Sequence, residues 1–169
     1  ARLKEYLMQL DEVLAGNRFL RGLIVPGGVR YDVEERILEE IVDVLHEVEK
    51  EYINIEHIMW EQNNFINRVR TTGIIKARTA YDLAMVGVGA RASGLTRDSR
   101  KDMGYGIYDE FDFNVVTETS GDVEARIKVR IAEVKESLKI IRQTITALRY
   151  DATQDIKVDL GKLRTLEGS

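Results

Sequence analysis

Residues 33–69, VEERILEEIVDVLHEVEKEYINIEHIMWEQNNFINRV, decide the fold class of this chain. Their apolar side chains recur every three or four positions, which is the spacing of one face of an α-helix. The stripe consists of Leu38, Ile41, Leu45, Val48, Tyr52, Ile55, Met59, Ile66 and Val69. Only Gln62 interrupts it, so the segment is predicted to form one long helix or two nearly collinear helices. A stripe of this length needs partner helices to cover it.

Two further segments supply those partners. Residues 1–16 place apolar side chains on one helical face and end at Gly16. Residues 123–148 form a second long stripe, preceded by Ser120 as a cap and by Gly121 as a stop. The stripe consists of Val123, Ile127, Ile131, Val134, Leu138, Ile141, Ile145 and Leu148. The predicted fold is therefore mainly α, a bundle of long packed helices.

Shorter patterns fill the space between these helices. Residues 19–28 are predicted to be extended and to lead into a turn at Pro26, the only proline. Asp32 and Glu35 have the spacing of a helix N-cap and its reciprocal partner. Residues 74–85 are predicted to be a short helix, and the alternation in residues 107–116 predicts a minor β element. Residues 1–150 are expected to form a single helical core domain, and residues 151–169 a polar tail or the start of a further segment.

The composition excludes several classes of protein. The net charge of −4 over 169 residues gives no general attraction to nucleic acid. No run of about 18 apolar residues is present, so no direct membrane span is predicted. The chain contains no cysteine, which excludes disulfides, thiolate metal sites and a cysteine nucleophile within it.

Residues 87–92, GVGARA, match the glycine pattern of a dinucleotide-binding turn. That turn requires a strand before the glycines and a helix after them, so that the pyrophosphate meets the helix N-terminus. Here the preceding residues, KARTAYDLAMV, have a helical pattern, and the following TRDSRKDMGYG is rich in charge and glycine. The match is therefore predicted to be coincidental.

His46 and His57 are the two histidines, and both lie on the predicted long helix. Their separation of eleven residues corresponds to about 16 Å along the helix axis, too far for one metal ion to bridge. A di-iron bundle site requires two Glu-x-x-His motifs. Asp43 precedes His46 at that spacing, but Asn54 precedes His57. Both histidines are predicted to be solvated or hydrogen-bonded helix residues.

The segment 91–108 combines many charges with several glycines. Its charged residues and the aspartate that follows are Arg91, Arg97, Asp98, Arg100, Lys101, Asp102 and Asp109. One interpretation is a surface loop with local ion pairs, each worth less than about 1 kcal/mol. The other is a buried loop in which arginines neutralise aspartates and hold backbone turns, as occurs around cofactor sites and subunit contacts. The local pattern leaves both interpretations open.

Several blocks, in the same order along the chain, resemble one protein family. The blocks are Asn17-Arg18, Val25-Pro-Gly-Gly-Val-Arg30, Ala90-Arg-Ala-Ser-Gly94, Asp98-Ser-Arg-Lys101, Tyr105, Tyr108-Asp-Glu-Phe-Asp-Phe113, Gly121-Asp122, Ala125-Arg126, Val129-Arg130, Glu133 and Ser137-Leu-Lys-Ile-Ile141. They resemble the large catalytic subunit of group 4 energy-converting [NiFe]-hydrogenases and its relative, the 49-kDa (D-chain) subunit of respiratory complex I. The resemblance implies long packed helices, an iron–sulfur small subunit and membrane subunits as partners, and a cytoplasmic position peripheral to the inner face of the membrane.

The absence of cysteine separates this chain from the hydrogenase pattern. In those enzymes two Cys-x-x-Cys motifs hold nickel and iron, since soft thiolates suit these metals. We therefore expect no cofactor in this chain, and nickel and iron only in a full-length hydrogenase parent of which it is an inactive internal fragment. The first alternative is a quinone-reducing 49-kDa-type subunit of NADH-quinone oxidoreductase. The second is a non-catalytic scaffold that docks an iron–sulfur subunit.

No catalytic, cofactor-binding or metal-binding residue can be assigned from these patterns. Two groups of residues are predicted to be adjacent to a site or to a subunit interface. The first is Gly27, Gly28 and Arg30, and the second is Arg91, Ser93, Gly94, Asp98, Arg100, Lys101 and Tyr105. The isolated chain is also expected to self-associate through uncovered apolar helix faces.

Overall fold

The structure is a computed structural model that describes residues 2–150. The predicted polar tail, residues 151–169, lies outside the described residues. The contacts divide the chain into two compact units. Of the described residues, unit 1 holds those up to Glu51 and those from Ile145 to Tyr150, and unit 2 holds Tyr52–Thr144. A single core domain over residues 1–150 stays a prediction.

Unit 1 is built on helices. Helix α1 is Arg2–Ala15, and Gly16 with φ of +65° follows it. Helix α2, Glu35–Trp60, begins in this unit, and the last residues of α7, Val123–Tyr150, complete it. The buried apolar side chains are Leu10, Ala15, Leu38, Ile41, Leu45, Val48 and Ile145, and all except Ala15 belong to the predicted stripes. The periodicity therefore identified the buried face of α2 in this unit, whereas in α1 Leu10 is buried but Leu7 and Val13 of the same apolar stripe are exposed.

A two-stranded antiparallel hairpin connects α1 to α2. Strand β1 is Ile24–Val25 and strand β2 is Gly28–Val29, and Val25 pairs with Gly28. The turn between them is Pro26-Gly27, where Gly27 has φ of +88°. Proline followed by a residue with positive φ is the sequence of a type II turn, so glycine is required at the second position. The predicted turn at Pro26 is present, but of the extended segment predicted over residues 19–28 only Ile24–Val25 and Gly28–Val29 are strands, and Leu20 has φ of +55°.

Unit 2 contains the rest of α2 and several short helices. These are α3 (Asn63–Val69), α4 (Ala77–Asp82), α5 (Gly87–Ala92), α6 (Ser99–Asp102) and a 3₁₀ turn at Tyr108–Glu110, followed by most of α7. Helix α2 ends at Trp60 because Gln62, which interrupts the apolar stripe, has an extended backbone. Of the two predicted alternatives, one long helix or two, the structure has two.

The predicted β element at residues 107–116 is wrong in its position. Phe111 and Phe113 are buried and pack with Ile140 of α7. The Asp112 N–H donates to Gln143 Oε1 and the Asn114 N–H donates to Glu136 Oε2, both at 2.8 Å, and both acceptors are side chains of α7. The alternation thus reflects burial against a helix, and α7 side chains satisfy N–H groups that a neighbouring strand would otherwise bond.

Two predicted helix caps are also corrected. Asp122, and not Ser120, caps α7, because its Oδ1 accepts a 2.8 Å hydrogen bond from the Ala125 N–H. Ser120 Oγ donates to the same oxygen at 2.9 Å. Among the described residues, Asp32 accepts a hydrogen bond only from the adjacent Val33 N–H, while the Glu34 carbonyl accepts the first hydrogen bonds of α2.

A separate observation concerns membrane insertion. Among residues 2–150, none of the helices combines the length and the apolar character required to cross a lipid bilayer.

Candidate functional site

The glycines of residues 87–92 lie inside a helix. Val86 is extended, Gly87 has φ of +68°, and α5 starts there, shortly after α4 ends at Asp82. Ala90 and Ala92 are fully buried and none of residues 87–92 is exposed, so this short helix is covered on more than one face. The segment therefore lacks the strand–turn–helix geometry that a dinucleotide-binding turn requires.

The end of α5 is fixed to the segment that precedes α7. The Arg91 carbonyl accepts from the Glu118 N–H and the Ala92 carbonyl accepts from the Gly121 N–H, each at 2.9 Å. Ser93 is 1% exposed, and its Oγ donates to the Gly89 carbonyl at 3.0 Å. These bonds satisfy the carbonyls that every helix leaves free at its C-terminus.

Arg91 connects this segment to α7. Its Nε donates to Glu133 Oε1 at 2.7 Å, and its Nη1 donates to the Arg97 carbonyl at 3.2 Å. The Arg91 and Glu133 side chains are 12% and 24% exposed. Because both partners are largely removed from water, this ion pair is more tightly coupled than a surface pair.

A second ion pair lies at the start of α6. The Arg100 guanidinium donates to both oxygens of Asp98, from Nε at 2.9 Å and from Nη2 at 2.6 Å. The same carboxylate accepts the Arg100 N–H, and the Asp98 N–H donates to Asp102 Oδ2 at 2.9 Å. Arg100 holds the pKa of Asp98 below its usual range despite burial, and Asp98 raises the pKa of Arg100. The structure combines the two interpretations of this segment: Asp98 is buried in an ion pair that holds a backbone turn, whereas most of residues 94–107 is exposed.

Lys101 and Tyr105 contribute through aromatic contacts. The Lys101 Nζ lies 4.4 Å from the centre of the Phe113 ring, and the Arg100 guanidinium carbon lies 5.0 Å from it. Tyr105 packs edge-on against Tyr108 with ring centres 5.1 Å apart. Since Phe113 is only 2% exposed, these cation–π contacts anchor α6 to the core.

The two ion pairs form walls of an open cleft of about 500 Å³. Its lining comprises Val86, Gly87, Arg91, Arg97, Asp98, Ser99, Arg100, Asp102 and Met103. Among the described residues, Arg97 has no carboxylate partner, and its guanidinium lies 5.6 Å from the centre of the Tyr81 ring. Val86 and Met103 are 76% and 79% exposed. The cleft lining thus includes exposed apolar side chains and Arg97, a cation without a carboxylate partner among residues 2–150.

The structure brings together the second group of predicted residues, and the first group belongs to the other unit. Arg91, Asp98 and Arg100 line the cleft, whereas Ser93 is buried beneath it. Gly94, with φ of +92°, follows at the end of α5. The remaining two, Lys101 and Tyr105, make the aromatic contacts described above.

Gly27, Gly28 and Arg30 lie in or next to the hairpin of unit 1. There the Arg30 N–H donates to the Leu23 carbonyl at 2.8 Å, and the Arg30 guanidinium lies 5.9 Å from the Tyr31 ring. The contacts of Arg30 described here are therefore all with residues of unit 1.

Sequence reasoning did not assign Val86, Arg97 or Met103 to the site. Arg97 was visible as one of the charges of the loop, but only the structure shows that Arg91 and Arg100 are paired and Arg97 is not. No periodic signal marks Val86 and Met103, since an exposed apolar residue in a loop has no regular spacing.

The histidines remain simple helix residues. His57 Nδ1 lies 3.3 Å from Glu61 Oε1, and both side chains are mostly exposed. Within residues 2–150, no three side chains of the metal-binding types come together. With no cysteine in the sequence, these residues do not fit a nickel–iron centre.

Comparison with known proteins identifies the family. The family model described as respiratory-chain NADH dehydrogenase, 49 Kd subunit, matches residues 1–165. The chain belongs to this family. The expected resemblance to the 49-kDa relative is thereby confirmed.

The relatives belong to respiratory complexes. The D subunit of NADH-quinone oxidoreductase from Clostridium beijerinckii is 34% identical over 148 residues, covering 88% of this chain and 40% of that protein. Its counterpart from Deinococcus radiodurans is 34% identical over 170 residues, covering 99% of this chain and 42% of that protein. A chain in the structure of an archaeal respiratory membrane complex, the membrane-bound sulfane sulfur reductase, matches with a TM-score of 0.83 and 28% identity, covering 94% of this chain and 42% of that one. This chain thus spans about two-fifths of the length of these relatives.

Proposed function

We propose that this chain serves in a membrane-associated redox complex of the NADH-quinone oxidoreductase type, peripheral to the inner face of the membrane. Its own role there is to dock the iron–sulfur subunit through the arginine-lined cleft. The names of its relatives support the type of complex. Because the chain spans about two-fifths of those proteins, quinone reduction belongs to the proposal for the whole subunit.

The geometry around Arg97 is the observation that supports docking. The Arg91–Glu133 and Asp98–Arg100 pairs fix the walls of the cleft, so little side-chain freedom is lost there on binding. The Arg97 guanidinium is therefore available to form an ion pair with a carboxylate of the iron–sulfur subunit. Arginine and methionine are enriched at the centres of protein interfaces. Exposed Val86 and Met103 supply apolar area on either side.

Co-purification tests this role. The chain is co-expressed with the iron–sulfur subunit of the same complex, and capture is compared for the wild type and for the variant Arg97→Ala with Val86→Asp. Interface centres of this type lose roughly 2 kcal/mol or more on truncation, so we expect at least tenfold weaker capture. The matched control is Arg78→Ala, whose exposed side chain pairs with Asp82 in α4 and does not line the cleft.

Undiminished capture by the double variant would remove the docking role while leaving the family assignment intact. Arg91 and Arg100 are unsuitable for this test, because the loss of either cation leaves a mostly buried carboxylate without its partner.

The hydrogenase interpretation is the second candidate, and it is supported by the matched blocks at residues 25–30 and 121–141. Its nickel and iron would require thiolates from outside this chain, since the chain has none. Elemental analysis of the intact complex, together with assays of hydrogen uptake and of quinone reduction, separates the two. Stoichiometric nickel with hydrogen uptake would select the hydrogenase, and quinone reduction without nickel the 49-kDa type.

A further inference from the structure

A second open groove lies in unit 1, between α1 and α2. Its volume is about 350 Å³, which falls within the range of ligand-binding pockets. Tyr6, Leu10 and Val13 contribute from α1, and Val44 contributes from α2. Leu10 is buried and Val13 is 43% exposed, so apolar surface extends from the floor of the groove to its edge.

The length of the groove corresponds to two helical turns. Tyr6, Leu10 and Val13 follow the spacing i, i+4, i+7, and a span of seven residues covers about 10 Å. The α2 side runs over the same length, from Glu40 to Glu47. An amphipathic helix that binds in a groove uses anchors with this same spacing.

The α2 edge of the groove is acidic. Glu40, Asp43 and Glu47 line it, and none of the described residues that line the groove is basic. Glu40 and Glu47 each lie 3.9 Å from a cation of the same helix, Arg36 and Lys50, which is a weak contact. Asp43 makes no ion pair with any residue between 2 and 150. The groove therefore carries negative charge beside its apolar floor.

We propose that this groove docks a basic amphipathic helix of another subunit, with lysine or arginine flanking an apolar stripe two turns long. Charge complementarity selects this occupant. A second copy of the chain, packed symmetrically through the same surface, would bring two acidic edges together. An anionic membrane surface would be repelled for the same reason.

A pair of designed peptides tests the proposal. The probe is a fluorescent 18-residue helix of leucine and lysine, and its counterpart has glutamate in place of every lysine. We expect the lysine peptide to bind at least tenfold more tightly than the glutamate peptide in a fluorescence-anisotropy titration. Asp43→Lys with Glu47→Lys should weaken the lysine peptide at least tenfold and strengthen the glutamate peptide.

The matched control is Glu12→Lys with Glu39→Lys. These exposed acids lie on the same two helices but do not line the groove, and the change in net charge is identical. Circular-dichroism melting checks that all variants fold. If both double variants weaken the lysine peptide equally, the attraction is general and the proposal is overturned.

Sedimentation analysis tests whether a second copy of the chain, and not a helix of another subunit, occupies the groove. We expect the protein without peptide to show no self-association that depends on Val13. A dimer that Val13→Asp dissociates would assign the groove to a second copy of the chain and would also overturn the proposal.

Discussion

The α1–α2 pair of unit 1 and the segment 87–126 of unit 2 use charge in opposite ways. In unit 1 the apolar stripes make the core, and ion pairs such as Arg18–Glu5 lie at the surface with side chains about two-fifths exposed. In unit 2 Asp98 and Asp122 are buried, and both accept hydrogen bonds from backbone N–H groups. The comparison indicates that long helices satisfy their own backbone, whereas a chain of short helices and loops needs buried side chains to do so.

Asp122 shows how a buried charge organises the backbone. Its carboxylate accepts from the Thr71 and Ala125 N–H groups, both at 2.8 Å. The residues before and after Asp122 bond to the same segment: the Ile75 N–H donates to the Gly121 carbonyl and the Val123 N–H donates to the Thr72 carbonyl, each at 3.0 Å. One aspartate thus joins the segment after α3 to the start of α7, and the backbones approach so closely that residue 121 must lack a side chain.

The largest expected difference between the two regions comes from a pair of glycines with the same backbone conformation. Gly16 has φ of +65° and open space around it, whereas a Cβ on Gly121, with φ of +67°, would collide with the Ile75 carbonyl oxygen. Gly16→Ala should cost about 1–2 kcal/mol for the left-handed conformation alone. Gly121→Ala adds a steric clash, for a total of roughly 3–5 kcal/mol.

Urea denaturation measures both variants. Equal losses of unfolding free energy would show that the contact at Gly121 is relaxed in solution, and the contrast between the two regions would then lose its strongest support.

The second difference concerns ion pairs. Arg91→Gln leaves Glu133 mostly buried without its cation and also removes the bond to the Arg97 carbonyl, so we expect a loss of roughly 3 kcal/mol. Arg18→Gln breaks a pair with Glu5 that is exposed, and the expected loss is below about 1 kcal/mol. Both losses of unfolding free energy are measured from the midpoint of urea unfolding. A loss at Arg18 as large as that at Arg91 would contradict the distinction between surface and buried charge.

The long helices could be predicted from the sequence because their information is local. The stripe of α2 repeats over several turns, and its break at Gln62 marks where the helix ends. The hairpin turn was equally visible, since Pro26 and Gly27 carry the conformational requirement themselves. In each case the residues that determine the local structure lie within a few positions of it in the sequence.

The arrangement of the candidate site could not be predicted, because its partners are distant in the chain. Arg91 meets Glu133 across 42 positions, and Asp112 meets Gln143 across 31. The alternation around Phe111 and Phe113 predicts a strand that is absent, because burial against a helix gives the same pattern as burial in a sheet. Family resemblance located the residues near the cleft, but it did not show which arginine is unpaired.

The ion pair between Asp98 and Arg100 in unit 2 should make the stability of the fold depend on pH. Arg100 keeps the pKa of Asp98 below its usual range, so the unfolded state binds more protons than the folded state in acid. The contribution of this pair is present above about pH 4 and is lost as pH falls through the folded-state pKa. Asp98→Asn should therefore lower the unfolding free energy by about 1.5 kcal/mol at pH 7 and by less at pH 3. Thermal melts at both pH values measure this, and a loss that is the same at both would exclude an ionic origin.

Asp11 of α1 gives the smallest effect, and its sign is opposite. Burial raises the pKa of this carboxyl, so the folded state binds more protons than the unfolded state near that pKa. Its contribution to stability is therefore present in acid and is lost as pH rises through the folded-state pKa. Asp11→Asn removes the charge without changing the shape, and we expect a gain of less than about 1 kcal/mol at pH 7 that disappears below about pH 4. Urea unfolding of the variant and the wild type at both pH values measures it. A loss of stability at pH 7 would mean that the half-buried Asp11 carboxylate has a favourable partner, and the contrast with Asp98 in the sign of the pH dependence would then be lost.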